Sequence, residues 1–192
     1  MARPLDPAKR TAILNAAIHC IQQQGLHAST SAITREANVS AGTLFTYFPD
    51  KVTLLNCLLL ELAGEMSIAL MQGFPVEASI KDKAFHAWQA YVVWSRQHAD
   101  RRHCVKQLMV SCFISEETHQ AIQGMLKSVY EVLNELGASH HCSSVEFITA
   151  VMGSLAETTI DFVLREPEKE RHYIEMGFYM FWQAAGMTSE KA

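Results

Sequence analysis

The chain has 192 residues, 49% of them hydrophobic, and a formal net charge of −4. This length accommodates one domain or a small head fused to a larger body, and the apolar content is sufficient for a buried core. The sequence has no run of 18 apolar residues, and its first residues lack the apolar region of a secretory signal. We therefore expect a cytoplasmic protein with no membrane partner.

The charge is unevenly distributed along the chain. Residues 1–51 have five basic residues (Lys and Arg) and three acidic residues (Asp and Glu), a net charge of +2. Residues 52–192 have eleven basic and seventeen acidic residues, a net charge of −6. Only the N-terminal segment is therefore suited to contact a polyanion such as DNA.

Helical periodicity begins near the start of the chain. Asp6-Pro7 predicts a helix start, and Gly25 predicts its end. The apolar positions between them recur at helical spacing: Ile13, Ala16, Ala17, Cys20 and Ile21. Short helices are predicted over 31–38 and from Ser40 to Phe48.

Longer helices are predicted in the rest of the chain, at 50–72, 79–98, 101–113, 115–137, 144–165 and 168–185. Gly73-Phe74-Pro75 interrupts the pattern after the first of them. No alternating pattern of useful length predicts a strand. The sequence therefore predicts an all-α protein of about nine helices.

Residues 31–48 have the plan of a helix-turn-helix, two short helices joined by a tight corner. In that plan the second helix enters the major groove of DNA. Leu44 and Phe48, four residues apart, can face the core, which leaves polar side chains on the other side: Thr43, Thr46 and Tyr47. The alternative is a tight helical corner in a protein that binds no DNA.

Small and hydroxylated residues surround this corner. Ser40 can cap the second helix, and Lys51 can pair with a phosphate. Thr30 or Ser31 can present a hydroxyl and backbone amides to the DNA backbone. Ala41 and Gly42 are small enough for close approach to DNA.

The segment NVSAGTLFTYFPDKVTLL resembles the signature of TetR/AcrR-type regulators, and the similarity extends over residues 7–60. The segments LAETTIDF at 155–162 and YIEMGFYMFW at 173–182 resemble the RamR-like subgroup of multidrug-responsive repressors. The resemblance implies a DNA-binding head of residues 1–50 and a ligand-binding and dimerisation body of residues 51–192. It also implies DNA-facing positions at Ala41, Gly42, Thr43, Phe45, Thr46, Tyr47 and Lys51.

Two residues depart from the family pattern. Phe45 stands where the family commonly has Tyr, so a hydroxyl for a phosphate contact is missing. Asn38 stands where the family often has Gly, and Asn is one of the few other residues that tolerate a left-handed backbone.

A homodimer is expected because one recognition helix reads few base pairs, and a twofold pair places two helices one DNA turn apart. The last two helices are rich in apolar residues, and the family dimerises through such helices. The alternative is that these residues face the monomer core. The predicted dimer interface is Phe147, Val151, Leu155, Phe162, Ile174, Phe178, Phe181 and Trp182.

The middle of the chain combines aromatic residues with many of its nine methionines, side chains that adapt to ligands of varied shape. Composition alone more often indicates core, but the resemblance implies an effector pocket with Trp88 as a stacking residue. Glu157 or Asp161 could neutralise a cationic effector. The predicted ligand-binding residues are Leu59, Met66, Trp88, Tyr91, Val92, Met109, Phe113, Met125, Met152 and Asp161.

Other functions have weaker support. His140-His141-Cys142 lacks the usual zinc spacing, and neither a cofactor site nor a catalytic motif is found. Cys104, near several basic residues, is the best candidate for a redox-sensing thiol. The resemblance to the RamR-like subgroup therefore implies a ligand-responsive repressor of efflux or stress genes. The alternatives are a TetR-type regulator of lipid or other metabolism and a thiol-based redox sensor.

Overall fold

The computed structural model describes residues 5–138 and 145–185, and within these ranges the chain is helical without a strand. The all-α prediction is confirmed. Ten α-helices are numbered in chain order: α1 Pro7–Gln24, α2 Thr30–Glu36, α3 Ala41–Tyr47, α4 Lys51–Met71, α5 Ile80–Gln97, α6 Ala99–Met109, α7 Glu116–Met125, α8 Lys127–Ala138, α9 Val145–Arg165 and α10 Glu170–Ala184. Short 3-10 turns lie at Gly25–His27 and Pro167–Lys169.

The helix predicted over 115–137 is two helices, which accounts for the tenth. Leu126 forms the turn between α7 and α8, and its carbonyl accepts hydrogen bonds from the N–H groups of both Val129 and Tyr130. The buried positions keep their helical spacing across this break, and so the periodicity predicted one helix. Gly124, a poor helix former, is the local signal for the interruption.

The chain divides into two compact units, Met1–Glu65 with His98–Ile122 and Met66–Gln97 with Gln123–Ala192. Helix α4 begins in the first unit and ends in the second. The predicted division of function at residue 50 stays a prediction.

In the first unit, α1 packs against α2 and α6. Asp6 caps α1 as predicted, because its carboxylate accepts the N–H of Ala8 at 2.9 Å. Asp50 precedes α4, and its carboxylate accepts the N–H of Thr53 at 2.7 Å. That bond holds the pKa of the Asp50 carboxyl below its usual value.

Asn56 of α4 connects this helix to the segment between α6 and α7. Its side-chain amide donates to the carbonyls of Val52 and Phe113, and its oxygen accepts from the N–H of Ser115 and the hydroxyl of Thr118. The predicted helix over 101–113 ends earlier, at Met109, and the residues after it are held by these bonds instead.

In the second unit, α5 packs against α8, α9 and α10 around an aromatic core. The ring of Trp88, 3% exposed, lies nearly parallel to the ring of Phe181, with centroids 5.9 Å apart. The Trp88 indole also donates to the carbonyl of Ile174 at 3.0 Å. Trp88 thus joins α5 to α10.

Helix α4 and the Phe147–Arg165 part of α9 are long and apolar enough to cross a membrane, by length and composition alone. The core helices of soluble proteins can have the same length and apolar composition. Five of the seven leucines of α4 are core residues that are each at most 1% exposed: Leu54, Leu55, Leu58, Leu59 and Leu62.

Candidate nucleic-acid interface

The corner between α2 and α3 is formed by a left-handed residue. Asn38 has a φ of 53°, as expected for the position where the family often has Gly. The N–H groups of Asn38 and Val39 donate to the carbonyls of Arg35 and Thr34, at 3.2 and 3.0 Å. These bonds close α2 and direct the chain into α3.

Serine side chains cap both short helices. The hydroxyl of Ser40 accepts the N–H of Thr43 at 3.1 Å, which confirms the predicted cap of α3. The cap of α2 is Ser29, a residue that the sequence did not single out, and its hydroxyl accepts the N–H of Ala32 at 3.1 Å. The sequence Ser29-Thr30-Ser31 offers three possible caps, so composition alone could not choose among them.

Helix α3 has one buried face and one exposed face. Leu44 and Phe48 are 0% and 1% exposed, as the four-residue spacing predicted. The exposed residues are Ala41, Gly42, Phe45 and Thr46, while Thr43 and Tyr47 are half-buried.

Two of the predicted DNA-contacting side chains have protein partners that the sequence did not reveal. The hydroxyl of Tyr47 accepts the N–H of Asp6 at 2.9 Å and donates to the carbonyl of the same residue at 3.1 Å. The ammonium of Lys51 donates to the carbonyl of Leu26 at 2.7 Å. Both contacts hold α3 and the start of α4 against segments near α1. Contact of these groups with DNA stays a prediction.

The predicted dimer interface separates into two groups. Ile174, Phe178, Phe181 and Trp182 are 2–7% exposed and pack within the second unit, so they do not form a free surface. A place for these four in the dimer interface stays a prediction. Their helix, α10, has apolar residues on most sides, and the spacing therefore could not show which side is exposed.

The other four predicted interface residues keep an accessible position. Phe147 and Phe162 are 61% and 40% exposed, and Val151 and Leu155 are half-buried. Helix α10 adds Tyr173, whose ring lies 5.3 Å from that of Phe162, together with the exposed Met176 and Met180. We call this surface the α9–α10 face: Phe147, Val151, Leu155, Phe162, Tyr173, Met176 and Met180.

The predicted ligand-binding residues differ in burial and stay predictions. In the first unit, Leu59 is buried and Met109 and Phe113 are half-buried. In the second unit, three of them are buried: Met66, Trp88 and Val92. Tyr91 and Met152 are half-buried, and Met125 and Asp161 are exposed.

Three surface cavities of the second unit, of about 320, 360 and 530 Å³, lie along α5. They are lined by residues other than the predicted ligand set. Gln89 and Val93 line two of them, and an Arg96–Glu170 ion pair with an N–O distance of 3.0 Å borders the largest.

Cys104 does not have the properties of a redox-sensing thiol. Its side chain is 0% exposed, and its thiol donates to the carbonyl of Ile18 at 3.7 Å. Burial, with a smaller contribution from Asp100, raises the pKa of the thiol to about 12. The nearby arginines that suggested a reactive thiolate do not offset this loss of hydration, so the prediction is wrong.

No group of three His, Cys, Asp or Glu is placed to hold a metal within residues 5–138 and 145–185. The segment His140-His141-Cys142 lies outside the described residues.

Comparison with known proteins links this geometry to a family. Residues 13–58, which include the whole α2–α3 corner, match the model "Bacterial regulatory proteins, tetR family". A solved structure assigned to the tetR family of transcription regulators, from Shewanella sp. PV-4, is 27% identical. It has a TM-score of 0.79, with 92% of this chain and 97% of that chain covered.

Two further solved structures contain ligands. The transcriptional regulator FadR from Bacillus subtilis, in complex with stearoyl-CoA, is 17% identical with a TM-score of 0.65, over 93% of this chain and 99% of that one. The TetR-like transcriptional regulator LfrR from Mycobacterium smegmatis, in complex with proflavine, is 16% identical with a TM-score of 0.62, over 95% and 99%. Residues 13–58 are thus similar to the tetR family of bacterial regulatory proteins, and the chain has a TetR-like, all-helical fold.

Proposed function

We propose that the protein is a ligand-responsive transcriptional repressor that binds a palindromic operator as a homodimer. The exposed face of α3 is the observation that carries the proposal. On this face the exposed residues are Ala41, Gly42, Phe45 and Thr46. Leu44 and Phe48 are buried on the opposite side and hold the helix against the core. A short helix presented in this way is the element that enters the major groove in helix-turn-helix proteins.

The α9–α10 face supports the homodimer. In the Phe147–Arg165 part of α9, only 28% of the residues in its most apolar stretch of 18 are buried. An apolar surface of this kind, on two neighbouring helices, is typical of an interface with another protein chain. A second copy would cover it with the same residues, because a twofold interface is self-complementary.

Helix α4 is the proposed link between effector and DNA. The Arg10 guanidinium of α1 pairs with Glu61 of α4 at 2.6 Å, and Arg101 of α6 pairs with Glu65 one turn further along. A ligand that favours a different position of α4 would also displace α1 and so weaken DNA binding. The coupling is reciprocal: bound DNA would weaken ligand binding by the same free energy.

For the effector, we propose a small, largely apolar or aromatic molecule and control of efflux or stress genes. The proflavine complex of the similarly folded LfrR supports this choice. The stearoyl-CoA complex of FadR favours the second candidate, a regulator of lipid metabolism.

The test is selection of binding sites from a pool of random DNA duplexes by the full-length protein, followed by fluorescence anisotropy at two salt concentrations. We expect a palindromic site whose affinity falls as salt rises, because bound phosphates release counterions. Phe147→Glu with Phe162→Glu should abolish dimers in sedimentation and reduce binding to the full palindrome. Recovery of no preferred duplex would count against the proposed function.

A further inference from the structure

We propose that α3 reads its operator through the C5-methyl groups of thymine, with Phe45 as the main specificity-determining residue. This inference rests on the proposed DNA-binding function and specifies the base that the interface recognises. It follows from what the exposed face of α3 offers to a base edge.

The exposed face offers apolar groups rather than hydrogen-bond donors. Ala41 presents a methyl group, and Phe45 presents a ring that is 46% exposed. The hydroxyl of Thr46 donates to the carbonyl of Gly42 at 2.7 Å, which leaves the Thr46 methyl group as its accessible apolar part.

The half-buried hydroxyls beside this face also have partners within the protein. The hydroxyl of Thr43 lies 2.9 Å from that of Ser40, which caps the helix. The hydroxyl of Tyr47 uses its proton and one lone pair on the backbone of Asp6.

Side chains that read bases by paired hydrogen bonds are missing from α3. Its sequence, AGTLFTY, contains no Arg, Lys, Asn, Gln, Asp or Glu. Guanine is commonly read by Arg or Lys, adenine by Asn or Gln, and cytosine by acidic residues, whereas thymine is read through its methyl group by Ala, the Thr methyl or Phe. Of the four bases, thymine therefore matches the groups on this face.

Space for close approach is present at Gly42. A Cβ built there would have the hydroxyl oxygen of Ser40 as its nearest neighbour, at 3.8 Å, an ordinary contact distance. Packing within the protein does not require glycine at this position. A surface without a side chain instead allows the DNA to approach the backbone, which brings Phe45, three residues further on, into the groove.

The experiment replaces each thymine of the selected duplex, one at a time, by uracil. Uracil keeps the pairing and the O4 acceptor of thymine but lacks the methyl group. We expect about fourfold weaker binding for each methyl group that Phe45 or Thr46 covers, from the transfer free energy of one buried carbon. Thymines outside the contacted half-sites should give no change.

Phe45→Ala should bind thymine and uracil duplexes equally at the position that Phe45 covers. Val110→Ala, which truncates an 86% exposed residue of the same unit, should keep the wild-type preference. If no uracil substitution weakens the wild-type protein, the methyl-reading proposal is wrong although the DNA-binding function stands. If the selection yields no preferred duplex, the proposed function fails first.

Discussion

The hydroxyl of Tyr47, at the end of α3, is bound to both backbone groups of Asp6, the residue that caps α1. The two residues are 41 positions apart in the chain. Because α1 also pairs with α4 through Arg10 and Glu61, the orientation of α3 is connected to α4 through α1. The tyrosine therefore has a structural role in addition to the DNA contact predicted from the sequence.

Removal of this hydroxyl should loosen the start of α1. Tyr47→Phe keeps the ring and loses both hydrogen bonds to Asp6, so we expect the free energy of unfolding to fall by about 1 kcal/mol. The affinity for the selected duplex should also fall, because α3 loses these two bonds to the start of α1. Urea denaturation and fluorescence anisotropy measure the two effects.

Tyr179→Phe is the matched control, since Tyr179 is 59% exposed on α10. It should leave both quantities unchanged. Unaltered stability of Tyr47→Phe, together with weaker DNA binding, would show that the hydroxyl serves the DNA alone.

Gly42→Ala should separate stability from DNA affinity. The new methyl group meets only an ordinary contact within the protein, and alanine is the better helix former, so the free energy of unfolding should stay constant or rise by up to about 1 kcal/mol. DNA binding should nevertheless weaken, because the methyl group occupies the space through which the duplex approaches.

Gly124→Ala, on α7, has no atom within 4 Å of the added carbon and provides the control. It should raise stability without a change in DNA affinity. Equal DNA affinity for Gly42→Ala and the wild type would remove the argument for close approach at this helix.

Local signals predicted the structure of residues 5–50 better than the packing of the later helices. Asp6, Ser40 and the 44/48 spacing each depend on neighbours within one or two turns, and each prediction is confirmed. The partners of Tyr47 and Lys51 lie 41 and 25 residues away, and no local pattern contains them.

In the second unit, α10 has its own apolar side chains on most sides. The periodicity of the sequence therefore predicts a helix but does not show which side is buried. Packing against α5 determines that side: Trp88 contacts Phe181 and the carbonyl of Ile174, and thereby buries residues that the sequence analysis had assigned to the dimer. Tertiary packing, which one sequence does not display, determines which side of α10 is covered.

The buried thiol of Cys104 gives stability a dependence on alkaline pH. Its pKa in the folded protein is about 12, above the value of about 8.5 for a free cysteine. The unfolded chain therefore releases this proton first. The contribution of Cys104 to stability is fully present below about pH 8.5 and is lost as the pH rises from there to about 12.

Cys104→Ala should reduce this decline in a urea titration repeated between pH 8 and pH 10.5. In the native protein, alkylation followed by mass spectrometry should modify the exposed Cys112 well before Cys104. Rapid modification of Cys104 at neutral pH, under conditions where the fold persists, would contradict its assignment as an inert core thiol.

Gly177 is required by packing, in contrast to Gly42. A Cβ at Gly177 would lie 2.1 Å from the hydroxyl oxygen of Thr159 and 2.8 Å from Cζ2 of Trp88. Gly177→Ala should therefore lower the free energy of unfolding by about 1–3 kcal/mol, the usual cost of overpacking, despite the better helix propensity of alanine.

Two variants test whether this steric overlap is the cause. Gly153→Ala, on α9, has no atom within 4 Å of the added carbon and should be neutral or stabilising. Thr159→Ala removes the nearest obstructing atom, so the double variant with Gly177→Ala should be more stable than the sum of the two single changes implies. Strict additivity of the two changes would mean that the Thr159 hydroxyl is not the cause of the loss at residue 177.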